Sequence, residues 1–253
     1  AAPLAARFLA ALRAACLGRR VPLLGGDTVR AAPGAATLAL TVCGIPWPGG
    51  PVLRSGGRPG DVLAVTGTLG GSGLGLAILR RGRPRGAAER DAVRAFRTPR
   101  ARLEAARPLA RAAHALMDVS DGLGLDLPRL ARASGCGFEV EAAALPLHPG
   151  LRPLAPEPAL RAALAGGEDY ELLAALPPRA VGPVRRALSR HGLPLSVIGR
   201  LLPARSGGWL VRGGRRSRWP GGGWDPFARD RDPGLDRPPV LSVGRDERDG
   251  PPR

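Results

Sequence analysis

Lysine does not occur in this chain: all 38 basic side chains are arginine, against 21 acids, leaving a formal net charge of +17. Without lysine there is no Schiff-base amine and no phosphate-loop lysine, so imine chemistry and the P-loop mechanism are excluded. Cysteine is scarce. Cys16, Cys43 and Cys136 stand far apart, odd in number and without CxxC spacing. Neither a disulfide framework nor a cysteine-held zinc is expected, and the three read as buried free thiols. Aromatics make up 4% of the chain with a single tyrosine, and the arginines are scattered. That is too little base-stacking surface for a nucleic-acid partner, so none is expected. No apolar run is long enough to cross a membrane, and no basic segment leads into an apolar core and cleavage site at the start. The expected location is cytoplasmic, with no membrane partner.

What is present is a 253-residue sequence with 44% hydrophobic residues, enough for one large domain or two smaller ones with real cores. Pro3 to Cys16 carries apolar residues at helical spacing and stops at Gly18. Val21 to Leu24 reads as a strand end, and Thr37 to Val42 alternates like a half-buried strand. Prolines and glycines from Pro46 to Pro51 then break regular structure. Beyond them, strands are expected at 61–66, 115–119, 138–141, 170–175 and 195–201. Helices are expected at 73–81, 101–113, 123–133 (with Pro128 as a point of shortening or kinking) and 183–190. The fold class is α/β (mixed α+β), with domains at 1–46 and 47–227. An arginine-, acid- and proline-rich tail at 228–253 cannot bury enough surface to fold alone.

Three turns carry acids where strands end: Gly25-Gly26-Asp27-Thr28, Asp118-Val119-Ser120-Asp121-Gly122 and Gly166-Gly167-Glu168-Asp169-Tyr170-Glu171-Leu172. In open α/β sheets, ligand sites gather at strand ends. Carboxylates crowded together repel, so three acidic turns in a strongly basic chain point to one shared cation-binding pocket, with exposed turns that merely tolerate acids as the alternative. The glycine-rich turn Thr68 to Ser72 could offer backbone N–H groups to phosphate, or could be a packing turn of small residues. His114, His148 and His191 read as structural, His148 at the surface between prolines.

GGDT at 25–28, LRSGGRPGD and VLAVTGTLG at 53–70, TPR at 98–100, DVSDG at 118–122 and GGEDYEL at 166–172 occur in the order found in thiamine-monophosphate kinases. From about residue 10 to Phe227 the sequence resembles that family, part of the aminoimidazole ribonucleotide synthetase superfamily. The resemblance implies a two-domain plan, with the N-terminal ATP/Mg²⁺ domain incomplete here and the C-terminal α/β domain complete. It implies direct transfer of the ATP γ-phosphate onto thiamine monophosphate, giving thiamine diphosphate. Several Mg²⁺ ions assist, and no enzyme nucleophile or general base is required.

Carried over by motif, Gly26 and Asp27 meet ATP and Mg²⁺, and Arg54 and Ser120 contact ATP. Asp27, Asp118 and Asp121 hold metal. Glu168 meets the thiamine substrate, with Trp224 the aromatic near it. A carboxylate and an aromatic face suit a permanently cationic thiazolium ring. The family also implies a homodimer and an N-terminal stretch with GDDAA-like and STD-like motifs that this chain lacks. The expectation is therefore that the isolated chain is inactive although its parent is a kinase. Alternatives are a homologue that binds nucleotide or thiamine phosphate without turnover, or another ATP-using enzyme of the superfamily.

Overall fold

The structure is a computed structural model that describes residues 2–29, 37–46 and 49–224. It divides into two units, Ala1–Ile45 and Pro46–Arg253. The tail expected at 228–253 lies outside the described residues.

Among its described residues the first unit contains one helix, α1 (Ala2–Gly18). Val21 to Leu24 and Thr37 to Val42, expected as strands, are exposed and without regular structure. An alternating pattern becomes a strand only when a ladder partner takes its N–H and C=O groups, and neither segment has one among the described residues.

The second unit is built on seven strands: β1 (Val62–Thr66), β2 (Ala115–Val119), β3 (Cys136–Glu141), β4 (Glu171–Leu176), β5 (Leu195–Pro203), β6 (Gly208–Arg212) and β7 (Arg215–Arg218). They form one sheet in the order β2-β4-β1-β5-β3-β6-β7. Every pairing is antiparallel except β3 with β6.

Helices α2 (Gly71–Arg81), α3 (Ala87–Arg97), α4 (Leu103–Ala110), α5 (Leu123–Ala133), α6 (Pro156–Ala165) and α7 (Pro178–Ser189) complete it. The central strands are apolar on both sides because both faces are covered. Leu63, Val65, Leu173 and Ala175 face Leu123, Leu127 and Leu130 of α5 and Leu160 and Leu164 of α6. Ala64, Ala174 and Leu176 face Leu109 of α4 and Val184 and Leu188 of α7. Helices α2 and α3 close a smaller core around Leu74, Ile78 and Val93. This is the mixed α/β class expected. Helices α3 and α6 and strands β6 and β7 are additions to the sequence reading.

Pro128 sits inside α5 without ending it. Its missing N–H would leave the Gly124 carbonyl unpaired one turn earlier. The Trp219 indole N–H donates to that carbonyl at 2.9 Å, while its ring packs edge-on to Phe138 at 5.1 Å between centroids.

Two further expectations are corrected here. His148 is buried, not at the surface: its Nδ1 accepts the Gly150 N–H at 3.1 Å and its Nε2 lies 3.3 Å from Asp91. Cys43 is exposed, while Cys16 and Cys136 are half-buried, and all three are free thiols. No helix among the described residues is long and apolar enough to cross a membrane.

Candidate active site

Antiparallel pairing brings two of the acidic turns together. In the β2–β4 ladder Val119 lies opposite Glu171, so β2 ends where β4 begins. The turn leaving β2 and the turn entering β4 share one end of the sheet, and β1 also ends there, with Val65 opposite Leu173. The site therefore follows from the antiparallel register and not from the carboxyl edge of a parallel sheet.

The two turns interlock through their backbones. The Glu168 N–H donates to the Ser120 carbonyl at 2.7 Å and the Tyr170 N–H to the Val119 carbonyl at 2.9 Å. Glu168 and Tyr170 hold φ of 63° and 50°, a left-handed conformation that side-chain-bearing residues seldom adopt. The glycines are explained by close approach. Gly122 has φ 104°, and a Cβ on it would stand 2.7 Å from the Leu164 carbonyl oxygen; one on Gly167 would stand 2.9 Å from the Ser120 carbonyl oxygen.

The crowded acids are sorted by giving each a different partner. Asp169 caps α2: its carboxylate accepts the Gly70 N–H at 2.6 Å and the Ser72 N–H at 3.1 Å. Gly70, at the helix start, has no side chain to do this itself. The residue is half-buried overall, but its carboxyl tip is enclosed. Burial pushes its pKa up to about 7, against the lowering effect of the helix N–H groups. The possibility that the Thr68–Ser72 turn receives a phosphate is thus corrected, since a carboxylate of the chain takes those donors.

Glu171 is buried. Its Oε2 accepts Thr66 Oγ1 at 2.7 Å and Arg102 Nε at 2.8 Å, and its Oε1 pairs with Arg102 Nη2. Glu168 alone of the three is exposed.

On the facing turn, Asp118 is exposed. Asp126, on the first turns of α5, is fully buried and organises the loop. Its Oδ2 accepts the N–H groups of Ser120 at 3.0 Å and Asp121 at 2.9 Å. Burial pushes its carboxyl upward, opposed by the Asp121 N–H and the Arg129 guanidinium. Arg129 Nη1 bridges Asp126 Oδ1 at 2.8 Å and the carboxylate of Asp121. Nearby, burial raises the Tyr170 hydroxyl pKa, and the negative charges of Glu168, Asp118 and Asp121 add to the rise. The three carboxylates thus act on one place.

The predicted residues are placed unevenly. Asp118, Ser120, Asp121 and Glu168 come together. Trp224 joins them through its backbone, its N–H donating to the Asp121 carbonyl at 2.8 Å, and its side chain is exposed. The aromatic that caps the core is Trp219.

Arg54 is exposed and lies beside the first half of β2, with the preceding Leu53 carbonyl accepting the Leu116 N–H at 2.9 Å. Gly26 and Asp27 belong to the first unit, where Asp27 is exposed and accepts the Thr28 N–H at 2.7 Å. His114 is structural, its Nδ1 2.8 Å from the buried Asp61 carboxylate that also holds the Arg58 N–H.

Asp126, Arg129 and Arg102 are not among the residues predicted, and neither is the capping role of Asp169. The spacing of Asp121 and Asp126 across Gly122 was the signal for Asp126; nothing in the sequence marks the other partners.

No group of three or more metal-capable side chains occurs among the described residues. The donors that are present are hard carboxylate oxygens on Asp118 and Asp121. They fit magnesium in its usual mode, with one or two carboxylates and the balance from water and substrate phosphate. Two open depressions of about 400 and 320 Å³ lie elsewhere, one lined by Glu139, Glu141 and Arg200, the other by Arg132, Cys136 and Phe138.

Residues 58–210 match the model of the AIR synthase related protein, C-terminal domain. The thiamine-monophosphate kinase of Escherichia coli (strain K12) is 38% identical over 210 residues, covering 81% of this chain and 63% of the relative. This chain therefore spans less than two thirds of that enzyme. Among solved structures, AaThiL complexed with AMPPCP and TMP is 32% identical with a TM-score of 0.59, covering 70% of this chain and 54% of that one. The thiamine-monophosphate kinase from Stenotrophomonas maltophilia K279a is 28% identical with a TM-score of 0.59, covering 68% and 54%. With the match running from the turn before β1 into β6, the chain belongs to the AIR synthase related proteins, through their C-terminal domain.

Proposed function

We propose that this chain is the thiamine-phosphate-binding and phosphoryl-transfer part of an ATP-dependent kinase that converts thiamine monophosphate to thiamine diphosphate. The observation that carries the reading is the Glu168 N–H to Ser120 carbonyl hydrogen bond, which makes the substrate carboxylate a neighbour of the turn bearing Asp118, Ser120 and Asp121.

In this reading Asp118 and Asp121 hold Mg²⁺, Ser120 contacts ATP, and Glu168 faces the cationic thiazolium with Trp224 beside it. Gly26, Asp27 and Arg54 keep the ATP and metal roles that their motifs imply. Magnesium, when bound, neutralises the phosphates and aligns them. The chain itself supplies position and charge: Asp126 fixes the turn backbone, and Glu168 is held out by the strained turn while its neighbours Asp169 and Glu171 are occupied. The acceptor is already an anion, so no residue need remove a proton. The parent enzyme is read as cytoplasmic and homodimeric, with neither nucleic acid nor membrane as partner.

Chromatographic detection of thiamine diphosphate after incubating the chain with thiamine monophosphate, ATP and Mg²⁺ tests this. Product that disappears in Asp118→Asn is the expected result for a competent kinase. The alternative reading is ligand binding without turnover. It predicts thermal stabilisation by thiamine monophosphate, weakened in Glu168→Gln, with no ADP formed. Neither product nor stabilisation overturns both.

A further inference from the structure

Arg129 pairs with Asp121 of the candidate site yet has no role in the reading above. Its Nη1 is shared between two carboxylates in unlike surroundings. Asp126 is fully buried, with its other oxygen already committed to two backbone N–H groups, whereas the Asp121 side chain is 31% exposed and Arg129 itself 34%. The inner bond is therefore an anchor: releasing it would leave a buried carboxylate without its cation. The outer bond is exchangeable, because water or another cation can reach Asp121. Asp118, three residues earlier, is exposed and has no such pairing among the described residues.

We propose that Arg129 is a built-in counter-cation for Asp121, occupying that carboxylate until a divalent ion displaces it, while Asp126 keeps the guanidinium at the edge of the site. This rests on the reading of Asp118 and Asp121 as metal ligands. It makes Arg129 a positioning residue: it keeps Asp121 and Asp126 from repelling each other before an ion arrives, and it sets a threshold for metal entry. After displacement, the outward part of the guanidinium remains beside the ion, where a phosphate oxygen could be received.

The consequence is opposite to that of a merely structural arginine. If Arg129 competes with the metal, removing its charge strengthens metal binding; if it only holds the loop, removing it weakens binding.

The test uses the whole chain and Mn²⁺ as the probe, with free Mn²⁺ counted by electron paramagnetic resonance, and no substrate is needed. Arg129→Gln is expected to bind Mn²⁺ about fivefold more tightly, the order of one partly exposed ion pair. Arg129→Lys, which keeps the charge, is expected to stay within about twofold of wild type, again on the scale of a surface pair. Asp118→Asn is expected to lose the bound ion, which locates it. Thermal midpoints of all variants are measured in parallel.

Unchanged or weaker Mn²⁺ binding by Arg129→Gln overturns the inference about Arg129 and leaves the metal reading intact. If Arg129→Gln does not fold, a loss of Mn²⁺ affinity in Arg129→Lys that exceeds its loss of stability overturns it as well. Mn²⁺ bound by no variant, or bound equally after Asp118→Asn, overturns the metal reading and the inference together.

Discussion

Gly25-Gly26-Asp27 and Asp121-Gly122 look alike as sequence, glycine beside aspartate after an apolar run, yet the structure treats them differently. In the first unit the turn is exposed, and a Cβ on Gly25 or Gly26 would meet nothing within 4 Å. In the same unit Val21, Leu23, Leu24, Leu38, Leu40 and Val42 are exposed as well. In the second unit, Gly122 is pressed against the end of α6, and Asp121 has a partner for its N–H, its carbonyl and its carboxylate. A motif acquires geometry only from what packs on it. The Asp118–Gly122 turn is given its shape by a sheet end, a buried aspartate and a second turn, and the Gly25–Thr28 turn is given none by its own unit.

The sharpest way to break this contrast is to put the same methyl group on both turns. Gly122→Ala must hold φ 104° with a Cβ 2.7 Å from a carbonyl oxygen, and it should destabilise the chain by about 3 kcal/mol or more. Gly26→Ala should change stability by less than about 0.5 kcal/mol. Urea unfolding followed by tryptophan fluorescence measures both. Equal effects would mean that the two turns are equally constrained.

A smaller loss is expected at the buried end of the same region. Arg102→Ala removes both guanidinium bonds from Glu171, which is 3% exposed and keeps only the Thr66 hydroxyl. Breaking such a pair by deleting one partner should cost about 2 to 4 kcal/mol, less than for a wholly enclosed pair because Arg102 is partly solvated. Arg102→Met with Glu171→Leu should recover much of the loss if desolvation is its cause. A double variant as unstable as the single one would assign the loss to packing at Glu171, whose carboxylate lies where a Cβ on Gly67 would stand.

Much of this was legible in the chain. The strands at 115–119 and 62–66 and helix α5 are written in short apolar runs and 3.6-residue spacing, because both faces of the central sheet are covered. The kinship of the Asp118–Gly122 and Gly166–Leu172 turns was legible too, as motif order. Their meeting was expected as a shared cation pocket, but the pairing that produces it was not legible, since β2 and β4 join antiparallel across more than fifty residues of chain. The division of labour among Glu168, Asp169 and Glu171 was hidden for the same reason: it is decided by Gly70, Ser72, Thr66 and Arg102, all distant in sequence. Thr37 to Val42 failed in the opposite sense, carrying strand periodicity where the described residues of its unit provide no ladder.

The finest test of that division of labour is a titration. Asp169 has a folded pKa of about 7 against an ordinary 3.8. Between those values the folded chain binds the proton more tightly than the unfolded one, so this group adds stability as pH falls through 7 and adds none above it. From pH 8 to pH 6 the gain is about 1 kcal/mol. Buried His148 works the other way. Desolvation lowers its pKa below the usual 6.5, so the unfolded state takes up a proton first and stability is lost as pH falls below that value. Between pH 8 and 6 the two groups therefore push wild-type stability in opposite directions. In Asp169→Asn the Asp169 gain is absent, and the urea midpoint should fall relative to wild type over the same range. Asp126 is present in both proteins and cancels in the difference. Parallel pH profiles for the two proteins would mean that Asp169 titrates like an ordinary carboxylate, and that the α2 N–H groups outweigh its burial.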